Sequence, residues 1–73
     1  MNYKGYTAHV EVDEVDGALY GRVEGIRDLV TFVANNLGDL EREFRISVDE
    51  YLAFCAEDGV EPERPRVEQK RAS

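Results

Sequence analysis

The chain has no tryptophan, one cysteine, one histidine and two prolines in 73 residues. Cys55 has no second cysteine to pair with, so an intramolecular disulfide is excluded. His9 likewise stands alone, and no other Cys or His lies at a metal-ligand spacing, which excludes a structural zinc site. A domain this short hides only about 60% of the surface its unfolded chain exposes. With disulfides and metal removed, association is the remaining route to extra stability. A homodimer or a complex with another protein is therefore expected.

Long apolar runs are also missing, and no basic start leads into a hydrophobic stretch. Neither a membrane span nor an export signal is expected, and a lone cysteine fits the reducing cytoplasm. Basic residues are few and unevenly placed. Residues 1–60 hold 5 Lys/Arg against 13 Asp/Glu, a net of −8, whereas residues 61–73 hold 4 against 3, a net of +1. Such an acidic body repels phosphate backbones, so no direct nucleic-acid binding is expected, and a basic protein is the favoured partner.

What is present organises into three strands and a helix. Tyr6, Ala8, Val10 and Val12 alternate with Thr7, His9 and Glu11, the period of a strand with one buried face. Asp13-Glu14-Val15-Asp16-Gly17 interrupts the alternation, and its Asp-Gly supplies the positive φ of a hairpin turn. A second strand follows at Leu19–Val23, with Leu19, Gly21 and Val23 on one face and Tyr20 and Arg22 on the other. The β-branched run Leu29-Val30-Thr31-Phe32-Val33 predicts a third. Short connections between them make an antiparallel meander.

Asn35 and Asn36 offer N-caps for a helix, with Asp39 in its first turn. Leu37, Leu40, Phe44, Val48, Tyr51, Leu52 and Cys55 follow at helical spacing. At 100° per residue they occupy a stripe about 120° wide. Gly59 ends the helix and Pro62 forbids its return. The fold class expected is α+β: a three-stranded antiparallel meander packed by one amphipathic helix over residues 1–60. Residues 61–73, rich in proline and charge, are expected to form a flexible tail or a short added strand.

Catalysis finds little support in these residues. A nucleophile needs a base, and the base an orienting partner. His9 alternates outward, and Cys55 lies on the core stripe, where a thiol packs as a small hydrophobe. Asp13, Glu14 and Asp16 are the only tight carboxylate group, and turns are acidic for conformational reasons. No glycine-rich phosphate loop is present. No cofactor, metal, small-molecule substrate or enzymatic activity is expected.

Tyr3-Lys4-Gly5-Tyr6, the turn Asp16-Gly17, and Gly21-Arg22-Val23-Glu24-Gly25-Ile26-Arg27-Asp28 resemble HicB antitoxins. So does Val48-Asp49-Glu50-Tyr51-Leu52-Ala53-Phe54-Cys55-Ala56, followed by Gly59 and Glu61-Pro62. The resemblance implies a partial ribonuclease-H-like β-β-β-α fold without nuclease activity. It also implies a partner, a HicA-type toxin: a small, basic, double-stranded-RNA-binding-like protein that cleaves mRNA. Neutralisation in that family is by occlusion of the toxin surface and its catalytic histidine.

The sequence departs from the pattern at Val33–Gly38, where relatives have a more acidic, threonine-capped helix start, and at Ile46, where they more often have a polar residue. Relatives usually continue into a ribbon-helix-helix or helix-turn-helix segment. The sequence ends at Ser73, so operator binding is not carried over. Charge and exposure, rather than the resemblance, select the partner-facing candidates: Asp13, Glu14 and Asp16 on the hairpin, and Glu43, Ile46 and Glu50 on the outer helix. The alternatives are an orphan HicB-like domain that self-associates without a toxin and, by fold analogy alone, a metal-dependent nuclease.

Overall fold

The computed structural model describes residues 1–65. It is an α+β structure with one antiparallel sheet and one helix. The strands are β1 (Asn2–Tyr3), β2 (Tyr6–Val12), β3 (Leu19–Val23) and β4 (Thr31–Ala34), followed by helix α1 (Leu37–Asp58). Spatial order follows chain order, β1-β2-β3-β4, so the sheet is a meander with β1 and β4 at its edges.

Four strands replace the expected three. The additional one, β1, has only two residues, too few to show a period, and its turn forms it. Lys4 (φ 53°) and Gly5 (φ 87°) are both left-handed, the backbone of a two-residue hairpin connection matched to strand twist. It closes on Tyr3 opposite Tyr6.

The third expected strand is shifted. Expected over residues 29–33, it lies at Thr31–Ala34. Cross-strand packing sets this register. Phe32 lies opposite Gly21, whose missing side chain leaves room for the ring on the inner face. Leu29 falls in the connection and is 79% exposed.

The expected β3 faces are observed, with Gly21 and Val23 buried, Leu19 half-buried, and Tyr20 and Arg22 exposed. Ala34 pairs with Leu19, so β4 ends, and α1 begins, at the hairpin end of the sheet. From there α1 runs along the inner face, with most of its contacts on β4 and β3. Leu40, Phe44 and Val48 pack against Tyr6, Val23 and Phe32 to form the core. Each such side chain contributes roughly 1.5–3 kcal/mol before ordering entropy is subtracted. The Phe32 and Phe44 rings meet at 5.6 Å between centroids.

Leu37 is the stripe member that stays out, at 65% exposure. A side chain at the first helical position leans back toward the N-terminus, past the sheet end. Of the two candidate caps, Asn36 is used. Its Oδ1 accepts from the Asp39 N–H at 2.8 Å, and its amide donates back to the Asp39 carboxylate at 3.1 Å. Gly59 (φ 68°) ends the helix in the left-handed conformation as expected.

Beyond the helix, residues 61–65 return to the sheet. The Tyr6 hydroxyl donates to the Glu63 carbonyl at 2.6 Å, and the Glu63 N–H donates to the Tyr51 hydroxyl at 3.0 Å. Arg64 lies over the Tyr6 ring and donates to the Lys4 carbonyl at 3.2 Å. The first residues of the segment expected to be a tail thus form a strap, held by two tyrosine hydroxyls that periodicity assigns simply to the core. The rest of that expected tail, residues 66–73, lies outside the described residues.

Candidate functional site

The hairpin carboxylates first serve the turn. Asp13 Oδ1 accepts from the Val15 N–H at 2.7 Å, and Asp16 Oδ1 accepts from the Ala18 N–H at 2.9 Å. These are side-chain mimics of a backbone turn, the reason Asp favours such positions. One oxygen of each carboxylate is therefore committed to the loop. Glu14 is exposed and makes no hydrogen bond among the described residues.

Glu43, Ile46 and Glu50 are all exposed and lie three and four residues apart, on one face of α1. The hairpin and helix groups do not form one cluster. Glu43 stands in the second turn and Glu50 two turns farther from the hairpin end. Among the described residues, no hydrogen bond or ion pair joins the two groups.

The helix holds seven acidic and two basic residues, and both arginines are spent internally. Arg42 pairs with Asp39 at 2.7 Å and Arg45 with Glu41 at 3.0 Å. Asp49 faces the other way, bonded to Lys4 Nζ at 2.9 Å and to the Tyr3 hydroxyl at 3.1 Å. The Lys4 hydrogen bond holds the Asp49 carboxyl below its ordinary range, and the same bond raises Lys4. Glu43, Glu50, Glu57 and Asp58 are left without a cation among the described residues. Glu57 and Asp58 stand in the last helical turn, where the macrodipole is negative and no basic residue offsets it.

The sheet face away from the helix is bare. His9, Glu11, Tyr20, Arg22, Thr31 and Val33 line a shallow concavity of about 410 Å³ there. His9 points outward, as its alternation predicts, with Nε2 3.1 Å from the Glu11 carboxylate. Cys55 is buried under the helix. Its neighbour Tyr51 is raised above its ordinary value, first by burial and further by the adjacent thiol. Among the described residues, no group of three or more His, Cys, Asp or Glu side chains is placed to hold a metal ion. No helix there is long and apolar enough to cross a membrane.

No protein-family profile, curated protein or solved structure matches the chain. The geometry therefore carries the functional argument. It offers three surfaces: the acidic outer helix, the bare sheet face, and the two sheet edges.

Proposed function

We propose that this protein is a non-catalytic interaction module of HicB type, acting in the cytoplasm by covering a small basic toxin. The observation that carries the reading is the outer face of α1. Its carboxylates Glu43, Glu50 and Glu57 lack a cation within the described fold, and Glu57, with Asp58 beside it in the last turn, stands where it opposes the helix dipole. Each unfavourable terminal charge costs about 0.3–1 kcal/mol. A basic partner would convert that cost into attraction and speed the encounter.

The order of elements, a meander followed by one long helix, is compatible with the partial ribonuclease-H-like arrangement that the resemblance implies. Ile46, flanked by Glu43 and Glu50, offers an apolar contact within the charged face. Neutralisation by occlusion requires no chemistry from the antitoxin, and the described residues bring together no nucleophile, base and orienting group.

The test is co-expression with the product of a neighbouring gene for a short basic protein with a single histidine, followed by pull-down. A complex that dissociates as salt rises is expected. Absence of a complex at micromolar concentration would sink the antitoxin reading. Self-association of an orphan domain is the second reading, favoured by the two open sheet edges. Light scattering that returned only a monomer would count against it.

A further inference from the structure

The β4 edge is open in a specific way. The Val23 N–H donates to the Val30 carbonyl, and the register pairs Arg22 with Thr31, Gly21 with Phe32 and Tyr20 with Val33. Hydrogen-bonded and non-hydrogen-bonded pairs alternate along an antiparallel ladder. Phe32 and Ala34 therefore direct their backbone groups to β3, while Thr31 and Val33 direct theirs outward.

Natural edges are usually blunted by lysine, proline or a bulge. The sequence Thr31-Phe32-Val33-Ala34 has none of these and no charge. The opposite edge is less available, because β1 covers the start of β2 and the charged Glu11 interrupts the rest.

Between the β4 edge and α1 runs a groove of about 420 Å³. Its apolar members include Leu29 and Phe54, 79% and 61% exposed, with Tyr51 at its floor. Its charged members are Asp28 and Glu50, with no Lys or Arg among the described lining residues.

We propose that this groove takes an extended segment of a basic protein, which adds a strand to β4 through the backbone of Thr31 and Val33. Alternate side chains of that segment would fall to the two sheet faces, as in strand addition generally. Those directed toward the helix meet Leu29 and Phe54, and cationic ones meet Asp28 and Glu50. A second copy of this chain, with a net charge of −7, would bring like charge to a groove whose charged members are both carboxylates, so charge complementarity selects the basic partner. The inference rests on the reading that the partner is basic and adds where it docks.

The test uses the full chain, labelled with nitrogen-15, and a short peptide in which lysine and valine alternate. Adding the peptide is expected to slow exchange of the Thr31 and Val33 amides by at least about tenfold and to shift the Leu29 and Phe54 signals. Val33→Pro removes an outward N–H while leaving the β3 ladder intact, and is expected to weaken binding at least about tenfold. Phe54→Lys is a second variant, on the helix surface and away from the sheet hydrogen bonds, with the same expected loss.

Unchanged exchange at Thr31 and Val33 in the presence of peptide overturns the proposal. So does mapping of the peptide to Glu43 and Ile46, or to His9 and Arg22. Protection that grows with protein concentration alone would assign the edge to a second copy and also overturn it. A natural toxin that binds Val33→Pro and wild type equally defeats this inference while sparing the antitoxin reading. Peptide protection without any toxin complex does the reverse.

Discussion

Replacing Gly21 with alanine probes the centre of the fold with one methyl group. A Cβ at this position would stand 2.2 Å from Phe32 Cε2 and 2.5 Å from Cζ, well inside van der Waals contact. The ring cannot retreat freely, because Phe32 is buried and the Phe44 ring packs on it at 5.6 Å between centroids. Overpacking of this kind costs about 1–3 kcal/mol. Alanine returns about 0.5–1 kcal/mol by restricting the unfolded chain. The difference spans about 0–2.5 kcal/mol, and an approach as close as 2.2 Å places it in the upper part, about 1–2 kcal/mol, large for a domain of this length.

With a urea slope of about 1 kcal/mol per molar for a chain this small, the unfolding midpoint should fall by roughly 1–2 M. Phe32→Leu alone should cost about 1 kcal/mol, and the double variant should lose less than the sum by at least about 0.5 kcal/mol, because the clash leaves with the ring. A Gly21→Ala protein as stable as wild type, or strict additivity in the double variant, would refute the proposed fit of Phe32 over Gly21.

Three further predictions follow from local geometry. Asn36→Ala removes the acceptor for the Asp39 N–H and should cost about 1 kcal/mol, read by chemical denaturation. Asp58→Lys should raise stability by about 0.3–1 kcal/mol by complementing the helix terminus, and at the same time weaken capture of a basic partner. Stability should also decline at both pH extremes, followed by thermal melts. Asp49 is held below its ordinary 3.8, so its contribution is full above that value and is lost as pH falls through the lowered one. Lys4 and Tyr51 are raised above 10.5 and 10.0, so theirs are full below those values and are lost as pH climbs through the raised ones. Lys4→Met should flatten the acid limb.

Much of the fold is legible because its signals are periodic. The alternation from Tyr6 and the helical spacing from Leu40 to Cys55 each repeat often enough to fix the element type and most of the buried face, although Val12, expected inward, is 59% exposed at the hairpin end. What escapes is set by pairing at a distance. β1 depends on two left-handed turn residues rather than on a pattern, and the start of β4 depends on where one ring finds a missing side chain. The strap depends on Tyr6 and Tyr51, whose hydroxyls meet the Glu63 backbone at sequence separations of 57 and 12. No local window contains that information.

Among the candidate contacts, the sequence places the acidic groups and Ile46 on the surface but does not separate their duties. Asp13 and Asp16 are partly consumed in building the hairpin, whereas Glu14, Glu43 and Glu50 are not. The outward backbone of Thr31 and Val33 is invisible in composition, since it follows from hydrogen-bond parity across β3.

The strap has a topological consequence. Arg64 reaches the Lys4 carbonyl, so the described chain closes on itself as a ring whose two ends are neighbours. A permuted protein, with Pro65 joined to Met1 through a short linker and new termini cut between Asp16 and Gly17, would retain every strand pair and the whole of α1. The order in which the elements are read off the gene would then be interchangeable, and the fold would be specified by its cyclic sequence of contacts alone.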